Sequence, residues 1–98
     1  MIRKLALCDD NHNDLTTIIS LLNRYAEERH MTFRICTYAT GQELISAHED
    51  EGDWFDLILL DVLMQPINGI DTARRLRRRG LHTPILFLTG SRDFAVES

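Results

Sequence analysis

The chain has 98 residues, 44% of them hydrophobic and 27% charged, with a formal charge of −4, which fits one mildly acidic folded domain. No apolar run reaches the roughly 18 residues of a membrane span, and Met1-Ile2-Arg3-Lys4 leads into a short strand-like run rather than a signal peptide. A cytoplasmic domain is therefore expected, with a single core and a thin stability margin at this size.

The first apolar run, "RKLALC" (3–8), stops against two adjacent carboxylates, Asp9 and Asp10. From about Asn13 to His30, Leu15, Ile18, Ile19, Leu22 and Tyr25 recur at helical spacing and predict one apolar stripe along a first helix. A second strand is expected over "FRICTYA" (33–39). Thr40 followed by Glu43 then reads as a capping box for a short second helix, with Leu44 and Ile45 on its inner face, ending before the acidic loop "HEDEGD". A third strand, "DLILLD" (56–61), again ends in a carboxylate, Asp61. Ile70, Ala73 and Leu76 form the inner stripe of a third helix, which Gly80 and Pro84 stop. The fourth strand is "PILFLTG" (84–90), and "SRDFAVES" reads as the first turns of a further helix.

Strands one, three and four are almost continuously apolar, the habit of strands covered on both faces. Together with the alternation βαβαβαβ, this predicts an α/β three-layer fold with right-handed crossovers around a parallel sheet, for which the flavodoxin-like order 2-1-3-4 is expected. Cys8 and Cys36 lie inside apolar runs without paired spacing and are expected as free thiols, while His12, His30, His48 and His82 are too scattered to build a zinc site.

In open α/β sheets, ligands bind beyond the carboxyl ends of the strands, where the strand order reverses. Strands one and three flank that point, so Asp9, Asp10 and Asp61 are expected to converge. Two carboxylates about 4 Å apart repel by roughly 4 kcal/mol at an effective dielectric near 20, a conflict that a hard divalent cation resolves. Mg²⁺ suits the site because it takes one or two carboxylates and leaves positions for phosphate oxygens. Thr89, at the end of the fourth strand, places a hydroxyl on the same rim.

In this order and at these separations, "LALCDD", "FDLILLDVLM", "NGID" and "ILFLTG" resemble the receiver domain of bacterial two-component response regulators. "LCDD" and "FLTGSRDFAVES" are most similar to the branch that carries LytTR-type DNA-binding domains. The resemblance spans nearly the whole chain. It implies that Asp61 is the phosphoacceptor, that Asp10 and Asp61 ligate Mg²⁺ with the backbone carbonyl of Leu63, and that Asp9 acts through a metal-bound water. Thr89 would be the switch hydroxyl. The implied partner is a sensor histidine kinase, with DNA reached through an effector domain of the full-length protein rather than by this domain.

The family's pattern continues through a fourth helix, a fifth strand ending in Lys-Pro and a fifth helix. The 98 residues therefore read as one receiver domain incomplete at its C-terminus, a piece of a longer regulator. Lys4 is the only lysine and belongs at the wrong end of the sheet to reach phosphate; Arg92 is the nearest candidate replacement. Without a fifth strand, "PILFLTG" is expected as an unpaired apolar edge that favours a homo-dimer or exchange of the terminal segment. After Asp61, the family's Met-Pro is interrupted by Gln65, so that Pro66 comes one place later while the spacing to Gly69 is kept.

Competing functions follow from the same residues. A degenerate receiver serving only as a dimerisation module fits the missing lysine. Arg74, Arg75, Arg77, Arg78 and Arg79 could form a nucleic-acid patch, but Asp71 is placed to pair with Arg75, no aromatics interleave the arginines, and the net charge is negative. A phosphatase of the haloacid dehalogenase type resembles D-x-D, whereas Leu63 stands at that second position, and no G-x-G-x-x-G supports a dinucleotide site.

Overall fold

The computed structural model of the chain describes residues 2–51, 54–89 and 94–96. β1 (Ile2–Cys8) is buried from Lys4 to its end and runs inside the sheet, parallel to β2 (Thr32–Tyr38) on one side and β3 (Leu57–Asp61) on the other. β4 (Ile85–Leu88) pairs parallel to β3. Between these strands lie α1 (His12–Glu28), α2 (Gly41–Glu51) and α3 (Gly69–Arg78). The order 2-1-3-4 and the flavodoxin-like layering are as expected, with one further strand beyond β4.

Strand alternation divides the apolar residues between two cores. Ala6, Cys8, Ile58, Leu60, Ile85 and Phe87 face α2 and α3, joined by Leu44, Ile45, Ala73 and Leu76. Leu5, Leu7, Leu59 and Leu88 face the other way, where Leu15, Ile18, Ile19 and Leu22 of α1 cover them. Tyr25, the last member of the predicted stripe, stays 47% exposed and stacks on Phe33 at 6.2 Å.

Four sequence expectations need correction. Residues Phe94–Val96 form a fifth strand, β5, antiparallel to β4, where "SRDFAVES" reads as a helix start. β4 is consequently not an unpaired edge: its Leu86, Phe87 and Leu88 register with Val96, Ala95 and Phe94. The second helix does not stop before its acidic run, since α2 extends to Glu51 and ties Glu49 to Arg79 at 2.6 Å. The inner stripe of α3 is Gly69, Thr72, Ala73 and Leu76, with Ile70 at the surface, because the start of α2 packs so closely at Thr72 that only a small residue fits at that position.

That packing makes a testable demand. A Cβ on Gly41, at the start of α2, would run into the hydroxyl of Thr72, which is itself fully buried and donates to the Asn68 carbonyl at 2.9 Å. Gly41→Ala is expected to cost about 1–3 kcal/mol, read as a fall in thermal midpoint of roughly 4–8 °C per kcal/mol. Adding Thr72→Ala should recover most of it, and an unchanged midpoint in the single variant would contradict this packing.

Candidate functional site

Parallel register brings the acids together. Cys8 is paired with Leu60, so the next residues on, Asp9 and Asp61, emerge side by side at the carboxyl rim of the sheet. The Asp9 N–H donates to the Tyr38 carbonyl at 3.1 Å, and the Val62 N–H donates to the Leu88 carbonyl at 3.1 Å, which anchors both strand ends. Asp9, Asp10 and Asp61 each offer a carboxylate oxygen within 4.8 Å of the others. The predicted convergence of the three is therefore present.

The three acids differ in setting. Asp9 is 3% exposed, Asp61 is half-buried and Asp10 faces solvent. One Asp9 oxygen accepts the Asn11 N–H at 3.0 Å, and Asn11 in turn caps α1 by accepting from the Asp14 N–H at 3.0 Å. Asp61 accepts the Leu63 N–H at 3.3 Å. Burial raises the Asp9 carboxyl above its ordinary value, opposed by the Asn11 N–H. Burial first, then the charge of Asp9, pushes Asp61 up to about 6. Burial and mutual repulsion thus raise both carboxyl groups, so that the metal-free pair holds a proton more readily than two separate carboxylates would.

These shifts fix the sign of a pH effect. The metal-free folded protein binds protons more tightly at Asp61 than an ordinary carboxylate of 3.8 does. This contribution to stability is complete below 3.8 and is lost as pH rises through about 6. In chelator, the slope of thermal midpoint against pH across this window should be more negative in the native chain than in Asp61→Asn. Equal slopes would contradict the raised Asp61 carboxyl.

The loop after β3 holds the acceptor rim in place. The Gly69 N–H donates to the Val62 carbonyl at 2.9 Å, and a Cβ on Gly69 would collide with the Asp61 carbonyl group and come 2.9 Å from the Val62 Cα. Asn68 caps α3 by accepting the Asp71 N–H at 2.8 Å. Sequence reasoning used Gly69 only as a spacing mark; the N-G pair before a helix was the available signal for its closeness to Asp61. The Gln65–Pro66 bond is cis.

Leu63, whose carbonyl is an expected metal ligand, lies in this loop with its side chain 71% exposed. Thr89 follows the Asp61–Leu88 register pair directly and so shares the rim with Asp61. Gly90 and Arg92 lie outside the described residues. Lys4 is at the opposite end of the sheet, 7% exposed, with its ammonium over the Trp54 ring and 5.1 Å from the Phe55 ring. Both cysteines are free; Cys8 is buried and Cys36 half-buried.

The arginine run is largely absorbed by the fold. Arg77 donates to the carbonyls of Leu81 and Thr83 at 3.0 and 2.8 Å, closing the turn into β4. Arg79 pairs with Glu49, and Asp71 pairs with Arg74 at 3.3 Å rather than with Arg75, the i+4 partner expected from spacing. Arg75 and Arg78 remain on the solvent face of α3.

Comparison with known proteins agrees with this geometry. Residues 6–97 match the model of the response regulator receiver domain. The chain is 35% identical over 89 residues to the alkaline phosphatase synthesis transcriptional regulatory protein PhoP of Bacillus subtilis, covering 91% of this chain and 34% of PhoP. It is 27% identical over 85 residues to the response regulator SaeR of Staphylococcus aureus, covering 87% and 33%. Among solved structures it is similar to the N-terminal domain of a response regulator/sensory box/GGDEF three-domain protein from Carboxydothermus hydrogenoformans, with a TM-score of 0.70 and 28% identity over 98% of this chain and 71% of that one. The chain thus spans about a third of the length of the curated relatives it matches. These matches establish the receiver family; the LytTR branch is not among what they support.

Proposed function

The chain belongs to the response regulator receiver family, and from that premise we propose that it accepts a phosphoryl group on Asp61 with Mg²⁺ bound among Asp9, Asp10 and Asp61. The single observation that carries the reading is the convergence of the three carboxylates at one rim. The donor set is all hard oxygen, and Asp9 is a buried carboxylate held without a cationic partner among the described residues, which is the chemistry a small divalent ion requires. Asp10, Asp61 and the Leu63 carbonyl would hold the ion, with Asp9 acting through a water.

When bound, Mg²⁺ supplies neutralisation of the charge that builds up between the attacking and incoming oxygens. The rest falls to the chain. Asp61 contributes the attacking carboxylate oxygen, which forms a bond to phosphorus as the bond to the donor's nitrogen or acyl oxygen breaks and that atom keeps the electron pair. The Leu63 N–H orients the carboxylate, and Asn11 orients Asp9. Thr89, which follows β4 on the same rim, would donate its hydroxyl to the new phosphoryl oxygens, the step that would shift the β4 end and its neighbours. The donor class is a phosphohistidine of a sensor kinase in the cytoplasm, or a small acyl phosphate. The LytTR-type output rests on sequence resemblance, while PhoP is a transcriptional regulatory protein.

The placement of Lys4 between Trp54 and Phe55 favours a second reading, a receiver that acts only as an interaction module. Self-association through β5, the edge strand among the described residues, belongs with it; light scattering that gives a monomer at high concentration would reject that association. Intact mass separates the two functions. Incubation with Mg²⁺ and acetyl phosphate is expected to add one phosphate-sized increment that chelator prevents. A folded sample that gains nothing supports the interaction-only reading.

A further inference from the structure

One buried thiol at the end of β1 touches two of the loops that flank the acidic rim. Cys8 is the residue before Asp9, is fully buried, and donates through Sγ to the Thr40 carbonyl at 3.3 Å. The same sulfur lies 3.7 Å from Sδ of Met64, which is itself 3% exposed and follows Asp61 by three residues. Thr40 is the cap of α2: its hydroxyl accepts the Glu43 N–H at 3.1 Å, its carbonyl accepts the Leu44 N–H at 3.3 Å, and Glu43 reaches back to the Ala39 N–H at 2.8 Å.

We propose that Cys8 is a positioning residue whose thiol couples the β2–α2 and β3–α3 loops to the strand end carrying Asp9, and so sets the spacing between Asp9 and Asp61. The metal-facing part of this inference rests on the phosphoacceptor reading above. A thiol has one hydrogen, and the carbonyl is the stronger acceptor, so the hydrogen goes to Thr40 while the polarizable sulfur packs on the Met64 thioether. The two contacts are therefore separable by substitution. Serine keeps a donor for Thr40 but, with its smaller and less polarizable oxygen, gives up the contact to Met64. Leucine at 64 keeps the volume and removes the sulfur.

Amide hydrogen exchange and Mg²⁺ titration on the 98-residue chain test this. In Met64→Leu, exchange at Leu63 and Gly69 is expected to quicken about 3–10-fold with Glu43 and Leu44 unchanged, and the Mg²⁺ dissociation constant to rise by a similar factor. Cys8→Ser should behave like Met64→Leu, while Cys8→Ala should quicken exchange in both loops. Volume-conserving Met64→Leu keeps the test valid should Cys8→Ala fold poorly. Wild-type exchange and Mg²⁺ affinity in Met64→Leu and Cys8→Ser would overturn the proposal and leave the thiol as filler. The expected exchange pattern in a native chain that binds no Mg²⁺ would support the loop coupling and count against the phosphoacceptor reading instead.

Discussion

Asp61→Asn is expected to abolish the phosphate-sized mass gain completely while leaving the chain folded and, in chelator at pH 8, more stable than the native protein by a few degrees in thermal midpoint. An amide has no charge to attack phosphorus, so acceptance on this side chain ends. The gain in stability comes from the same geometry: Asp9, Asp10 and Asp61 hold oxygens within 4.8 Å of each other, and the carboxyl of Asp61 is pushed up to about 6 by burial and by Asp9. Removing one acid relieves repulsion that the folded chain otherwise contains. Saturating Mg²⁺ should shrink or reverse the difference, because the cation binds the native trio more tightly than the pair left behind. Differential scanning in chelator and in Mg²⁺ reads both signs. A variant that still gains phosphate, or is less stable than the native chain in chelator, would contradict the account.

Gly69→Ala is expected to have the second largest effect. The added methyl meets the Asp61 carbonyl group and the Val62 Cα, all backbone, so no side-chain rotation relieves it. Either α3 shifts away, breaking the Gly69-to-Val62 hydrogen bond of 2.9 Å, or the end of β3 moves. Overpacking of this kind costs about 1–3 kcal/mol, and displacement of the acceptor by about 1 Å slows group transfer by on the order of 100-fold. Denaturant unfolding measures the first and the time course of mass gain the second. Native values of both would show that α3 can approach β3 without a glycine.

The first four strands were legible because each is a short apolar run bounded by polar or turn-forming residues, and the runs of β1 and β3 end in acids. Spacing alone carries Asp9, Asp10 and Asp61 to one rim, since parallel register repeats the strand ends. Other features were hidden for physical reasons. β5 is three residues long and draws its order from hydrogen bonds to β4 rather than from a periodic pattern. The end of α2 was misplaced because His48, Glu49, Asp50 and Glu51 read as a polar loop, whereas Arg79, the C-cap of α3, pairs with Glu49 within the helix. Ile70 outranks Thr72 on hydrophobicity, yet closeness to Gly41 decides which faces inward. The Cys8–Met64 contact joins residues 56 apart and leaves no local signature.

Calorimetric titration of Mg²⁺ into the chelator-treated chain at pH 8 tests the central claim most directly. One ion per chain is expected to bind, with affinity lost in Asp61→Asn and in Asp10→Asn and unaffected by Lys4→Gln, whose side chain sits at the far end of the sheet. No Mg²⁺ binding by the folded native chain, or binding that survives loss of both Asp10 and Asp61, would contradict the account.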